Sequence, residues 1–320
     1  MKKPLIILTG PTAVGKTGLS IQLARMVHGS IISADSMQVY RHMDIGSAKI
    51  KKEEMQEIPH YLIDELEPTE EFHVVRFQEY ARKYMEEIYA QGRIPIIVGG
   101  TGFYIQALLY DIDFTKEQED TEYRRSLERL AKEQGGHILH EMLQKADPEA
   151  AKKIHENNIR RMVRALEFHH LSGQKISSHN ETERQKESPY HFAYFVLNDD
   201  RQKLYDRINE RVELMLEEGL IEEVKALRNL GCERHMVSMQ GLGYKEILSY
   251  LEGEMSLADA VCRIKRDTRH FAKRQLTWFR RERDVIWVDK QEFAYDNRQI
   301  LSYMKKILME KGMISSENSD

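Results

Sequence analysis

The chain has 320 residues, enough for one large domain or two ordinary ones, each with a sizeable core. Charged residues make up 31% of it and its apolar runs are far too short for a bilayer span, which excludes a helical membrane protein and leads us to expect a cytoplasmic enzyme. A net charge of -4 at pH 7 excludes a protein that coats nucleic acid indiscriminately, but leaves room for a local basic surface.

The first element is an apolar run, Leu5-Ile6-Ile7-Leu8, which reads as a short buried strand. It leads into Gly10-Pro11-Thr12-Ala13-Val14-Gly15-Lys16-Thr17, a phosphate-binding loop that opens a helix. Backbone N–H groups of such a loop wrap an anion, and the helix points its positive end at the same place. Lys16 adds a charge on the outer phosphate, and Thr17 offers a hydroxyl to Mg²⁺. Residues 30–36 read as a second, parallel strand, with Asp35 at its C-terminal end. In open α/β sheets ligands bind outside those ends, so topology alone brings Asp35 near the phosphate site.

The polar segment up to Pro68 reads as loops and short helical pieces. A helix is expected over 74–90 and a strand over 94–98, which runs into Gly99-Gly100-Thr101-Gly102 and a further helix over 103–109. From about residue 115 to 189 the texture changes to charge-rich helices, predicted over 123–134, 138–145 and 159–171, with a short one opened by Asp147-Pro148-Glu149. We therefore expect an α/β core made of residues 1–114 and 190–320, with an all-helical insertion over 115–189. Strands follow at 191–197 and 285–288, and helices at 200–218, 221–230, 257–281 and 294–311. The polar end over 315–320 reads as disordered.

The cysteines, Cys232 and Cys262, form neither a disulfide framework nor a zinc ribbon, and the His137/His140 and His169-His170 pairs have no partners to complete a metal site. The strand over 94–98 ends in glycines rather than the acid that holds Mg²⁺ in motor and switch ATPases. A transferase remains, using the loop for a phosphorylated donor or a diphosphate leaving group, with Asp35 as base. Arg207 and Arg211, four apart on one helix face, suit an oxyanion-rich leaving group. Between Arg263 and Arg283 nine Lys/Arg face two acids, a local balance of 9 − 2 = +7 that suggests phosphate contact. Arg160, Arg161 and Arg164 do the same in the insertion.

Five blocks in order carry a resemblance. They are the phosphate loop, Asp35-Ser36-Met37-Gln38-Val39-Tyr40-Arg41 with residues 43–49, Gly99-Gly100-Thr101-Gly102-Phe103-Tyr104, residues 158–167, and residues 272–280. Together they resemble the tRNA dimethylallyltransferase (isopentenyltransferase) family, from the N-terminus to about Arg281. The resemblance implies transfer of a dimethylallyl group from dimethylallyl diphosphate to N6 of the adenosine next to the anticodon, with Mg²⁺ as cofactor. It implies catalytic roles for Asp35, Thr101 and Arg211. Diphosphate would be held by Gly10, Thr12, Ala13, Val14, Gly15, Lys16, Thr17 and Arg207, with Thr17 on the metal. For the anticodon stem-loop it implies Asp35, Ser36, Met37, Gln38 and Thr101, then Tyr123, Arg124, Arg160, Arg161 and Arg164 in the insertion. Gln240, Gly243, Tyr244, Lys273, Arg274 and Arg280 complete that set.

The expected fold is a P-loop kinase-like parallel sheet flanked by helices, and the expected state a monomer. Two alternatives use the same core: a nucleotide-type kinase, and a prenyltransferase acting on a free adenine nucleotide. Neither small acceptor would need the basic helix. An RNA-binding protein without chemistry would not need Asp35.

Overall fold

The computed structural model describes residues 2–114 and 121–315. The predicted start of the insertion at 115, and the polar end beyond residue 315, lie outside the described residues. Two compact units form, one from residues 1–108 and 189–320, the other from residues 109–188.

The larger unit is built on six parallel strands: β1 Pro4–Thr9, β2 Gly29–Ala34, β3 His60–Tyr61, β4 Ile94–Gly99, β5 His191–Asn198 and β6 Val285–Asp289, in the order β3-β2-β4-β1-β5-β6. β1 lies between β4 and β5, in the register Ile6↔Ile96 and Ile6↔Ala193. Parallel strands covered on both faces must be apolar throughout, and Leu5, Ile6, Ile7 and Leu8 are all buried. The five predicted strands are present; the sixth, β3, falls in the segment read as loops, because two residues carry no periodicity to detect.

One sheet face is packed by α1 Lys16–Met26, whose Leu19 and Leu23 join Ile6, Leu8, Ile31, Ile96 and Phe195 in a single core. α13 Asn297–Glu310 closes the same core with Ile300, Met304 and Leu308. α2 Val74–Ala90 packs on β2 and β4, burying Phe77, Ala81, Met85 and Ile88 at helical spacing. α3 Gly102–Leu109 starts where β4 ends. The C-terminal part of this unit adds α9 Arg201–Glu217, α10 Leu220–Asn229, α11 Tyr244–Leu251 and α12 Leu257–Phe279. Asp200 caps α9 by accepting the N–H of Lys203 at 2.9 Å, and Ser256 caps α12 through the N–H of Asp259 at 3.1 Å.

The smaller unit is all helical: α4 Thr121–Gln134, α5 Gly136–Ala146, α6 Pro148–Lys153, α7 Ile159–Ser172 and α8 Ile176–Gln185. Leu127, Leu139, Leu143, Ala151, Met162 and Leu166 form its core. α8, which the sequence pattern does not announce, is polar and short; it is fastened by the buried carboxylate of Asp147. That carboxylate caps α6 at Ala150 N–H (3.1 Å) and accepts the N–H and hydroxyl of Ser177 at 2.8 and 2.7 Å.

Candidate active site

The ends of β1, β2 and β4 meet at one edge of the sheet. After β1 the chain turns through residues 10–15, and Gly15 takes φ 94° to hand over to α1, a conformation that L side chains rarely adopt. Lys16 folds back over its own loop, donating to the carbonyls of Gly10 and Pro11 at 3.0 and 2.8 Å. Burial lowers its pKa to about 8; the charge of Asp35 pushes it up and that of Arg211 pushes it down. The two sides of the site, loop and carboxylate, therefore lie within electrostatic reach of each other.

Asp35 follows β2, and its Oδ1 accepts the N–H of Met37 at 2.9 Å, which fixes the carboxylate on the turn. Thr101 is brought beside it because its N–H donates to Ala34 O at 3.2 Å, so the turn after β4 is stitched to the end of β2. Arg211 arrives from α9. Burial lowers its pKa, and the charge of Asp35 opposes that shift.

Two cavities meet at this place. The smaller, about 330 Å³, is lined by Asp35, Ser36, Met37, Thr101, Arg211 and Arg274 among others. The larger, about 1000 Å³, runs past Thr17 and Lys49 and also reaches Arg211. Arg211, Met215 and Ala48 border both. Apolar Ile208, Val212, Ile264 and Phe271 make up much of the smaller cavity's wall, a surface suited to a base or a short hydrocarbon.

Thr17, in the first turn of α1, borders the larger cavity. Among the described residues no group of three His, Cys, Asp or Glu could hold a metal ion alone. Mg²⁺ keeps several waters and takes oxygens from substrate phosphates, so it calls for few ligands from the protein. The donor set thus fits a cation that arrives with a diphosphate.

Several predicted residues have partners or positions that the sequence does not announce. Arg207 is ion-paired with Asp199, whose side chain is fully buried at the end of β5, because burying that carboxylate demands a cation. Tyr244, expected on RNA, is 0% exposed, with its hydroxyl donating to Glu223 at 2.7 Å. Gln38 is turned inward, accepting from Ser33 at 3.2 Å and donating to Ala48 O at 3.3 Å. Gly243 is buried, its N–H given to Glu246 at 2.9 Å, whereas Gln240 borders the smaller cavity. Lys273 and Arg274 are exposed on α12, and Arg280 is exposed just after it.

In the smaller unit Arg160 and Arg161 are exposed. Arg124 and Arg164 both pair with the fully buried Glu167, at 2.7 and 3.4 Å. Tyr123 stacks on His170 with ring centroids 4.0 Å apart. These three side chains thus also have structural partners within their own unit.

Three further residues complete the site: Gln275, which lies in the 272–280 block but to which the resemblance gives no role, and Lys290 and Glu223, which no motif marks. Gln275, buried on α12, accepts the N–H of Thr12 and donates to Gly100 O at 2.9 Å. Lys290, just after β6, donates to Val14 O at 3.3 Å, its pKa lowered by burial and by the neighbouring Arg207. Glu223 of α10 accepts the N–H groups of Asp44, Ile45 and Gly46 at 2.8, 2.7 and 3.0 Å.

A parallel α/β sheet with a phosphate loop facing a carboxylate across a two-cavity cleft defines an enzyme of the phosphate-loop transferase class. The family model described as IPP transferase matches residues 38–282. The chain is 60% identical to the tRNA dimethylallyltransferase of Lachnoclostridium phytofermentans over 312 residues, 98% of this chain and 99% of that one. It is 51% identical to the enzyme of the same name from Acetivibrio thermocellus, over 92% and 95% of the two chains.

Among solved structures, the tRNA isopentenylpyrophosphate transferase of Bacillus halodurans superposes with a TM-score of 0.73 at 44% identity, covering 98% of this chain and 99% of that one. A eukaryotic dimethylallyltransferase, described as acting on tRNA, gives 0.76 at 31% identity, covering 90% and 74%. The chain belongs to the IPP transferase family.

Proposed function

We propose that this chain transfers a dimethylallyl group from dimethylallyl diphosphate to N6 of the adenosine on the 3′ side of the anticodon in tRNA, releasing diphosphate. The observation that carries the reading is the position of Asp35. It borders a cavity with Thr101 and Arg211, while its charge reaches Lys16 on the phosphate loop. A base for the nucleophile and cations for the leaving group belong to one electrostatic neighbourhood. The names of the relatives support tRNA as acceptor and dimethylallyl as the group moved.

The chemistry follows from those residues. The adenine amino group is a poor nucleophile, because its lone pair is delocalised into the ring. As N6 attacks C1 of the dimethylallyl group, the C1–O bond breaks, its electron pair leaves with diphosphate, and the N6 proton passes to Asp35. Thr101 stands beside the base. Lys16, Arg211 and the loop's N–H groups take up the negative charge that grows on the leaving oxygen. Mg²⁺ held by Thr17 would add Lewis-acid stabilisation of the same diphosphate.

The acceptor is drawn from its loop toward Asp35, as enzymes that act on a base require. We assign the RNA surface to Lys273 and Arg274 on α12, to Arg280 just after it, and to the helical insertion over 115–189 with Arg160 and Arg161. The exposed positions of these five residues support that assignment. A monomer suffices for this arrangement.

One incubation tests the reading: the protein with dimethylallyl diphosphate, Mg²⁺ and unmodified tRNA, followed by mass analysis of the nucleosides. The expected product is an adenosine heavier by one dimethylallyl group in place of hydrogen. Unmodified tRNA together with ATP-dependent phosphorylation of a small acceptor would replace the reading with a kinase.

A further inference from the structure

The segment from Asp44 to Ile50 separates the two cavities. Gly46, Ser47 and Ala48 face the smaller one; Asp44, Ile45, Ala48, Lys49 and Ile50 face the larger. Such a wall borders the smaller cavity beside Asp35 and Thr101, so its position matters to the acceptor base that enters there. Irregular backbone of this kind holds its place only where its polar groups find fixed partners.

The C-terminal end of the wall is pinned by Lys49, whose ammonium is buried. It donates to Tyr40 O at 2.7 Å, to Asp44 at 2.6 Å and to Asp64 at 2.5 Å. The N-terminal end is pinned from a distant part of the chain. Three consecutive N–H groups, of Asp44, Ile45 and Gly46, converge on the Glu223 carboxylate. The Tyr244 hydroxyl supplies a fourth donor at 2.7 Å. Burial, and next the charge of Glu223, raise the Tyr244 pKa well above its ordinary value, so the phenol remains a donor at neutral pH.

The fit is close as well as polar. A Cβ at Gly46 would stand 2.5 to 2.8 Å from the Tyr244 ring and hydroxyl, nearer than any real Cβ comes, so only glycine lets the wall pass this side chain. Tyr244 is itself fully buried and has no surface to offer an RNA.

We propose that Glu223 and Tyr244 are positioning residues for the transfer reaction, acting through the wall over residues 44–50 rather than by touching either substrate. The proposal rests on the transferase reading for its kinetics, and stands independently of it for the pinning itself. Glu223 is suited to the task because an ionised carboxylate accepts from all four donors at once. An amide in its place would turn an N–H group toward other N–H groups.

The test is Glu223→Gln, with Tyr244→Phe as the milder variant. Hydrogen exchange of the amides of residues 44–46 should speed up at least about tenfold in Glu223→Gln, the protection of a bonded amide being lost. With tRNA varied, kcat/KM should fall by about tenfold or more, as expected when a substrate-facing group shifts by part of an ångström. Tyr244→Phe, which removes one donor and keeps the ring, should lose about threefold. Affinity for inorganic diphosphate should stay within about twofold, since the phosphate loop does not touch Glu223; this separates positioning from general damage to the fold.

Unchanged exchange at residues 44–46, kcat/KM within about twofold of the unmodified protein, or a parallel loss of diphosphate affinity would each overturn the proposal. A parent protein that binds diphosphate but never prenylates tRNA overturns the transferase reading instead, and the exchange result still decides whether Glu223 holds the wall.

Discussion

Gln275 accepts the backbone N–H of Thr12 at 2.8 Å, so the basic helix α12 is fastened to the phosphate loop. The other end of the same amide donates to Gly100 O, which adds the turn after β4 to the join. Gln275→Leu leaves both backbone groups without that partner in a site where the side chain is 6% exposed. Gly100 O keeps the Gly102 N–H at 3.1 Å and the Thr12 N–H is only half-buried, so thermal unfolding should show a loss of about 1–3 kcal/mol. Diphosphate binding, measured by calorimetry, should weaken with it, because the loop loses its clamp at Thr12.

Asp35→Asn keeps an oxygen that can accept the Met37 N–H and removes the base. Single-turnover transfer should drop by about 10² to 10⁴, the usual worth of a general base. Binding of tRNA in a filter assay should stay within a few-fold. Turnover near that of the parent protein would take Asp35 out of the mechanism.

The lowered pKa of Lys16, about 8, makes anion binding sensitive to pH. The ammonium is charged below that value and neutral above it, so affinity for inorganic diphosphate should decline as pH rises through about 8. Bound diphosphate favours the charged form, which moves the midpoint of the decline upward in the complex. A titration of diphosphate affinity from pH 7 to 10 measures it. Lys16→Arg, charged throughout, should remove the decline over that range.

For the basic surfaces, Arg161→Ala and Arg274→Ala should each weaken tRNA binding and flatten its dependence on salt. One lost phosphate contact lowers the slope of log K against log salt by about 0.7–0.9. Arg124→Ala and Arg164→Ala should instead lower stability, because each strips a partner from the buried carboxylate of Glu167. Melting curves and salt titrations on the four variants separate the two behaviours.

The strands and the long helices were legible because they carry the signals that sequence carries well. Leu5-Ile6-Ile7-Leu8 is an unbroken apolar run, and Phe77, Ala81, Met85 and Ile88 repeat at helical spacing. The phosphate loop is legible for a different reason: it is built from consecutive residues, so backbone geometry and chemistry are written in one place. Glu223, Asp199 and Lys290 escape the same reading, since each acts on a segment far away in the chain and looks, locally, like a charge on a helix or after a strand. Arg207 shows the converse. Its spacing from Arg211 puts both on one helix face, but no pattern reveals its ion pair with the buried Asp199.

The position of β1 in the sheet bears on the order in which the molecule can assemble. Pro4 pairs with His191, far later in the chain, and Val14 receives its contact from Lys290. The central strand therefore leaves the ribosome long before its neighbour β5 exists, and the rim of the phosphate loop is finished by a residue 276 positions further along the chain. Pairings this distant slow folding, because the loop between them must close before the contact gives anything in return. During synthesis an apolar strand with an open edge must wait, and a chain truncated before residue 285 would retain the signature loop while lacking the β6 edge and the Lys290 contact to Val14.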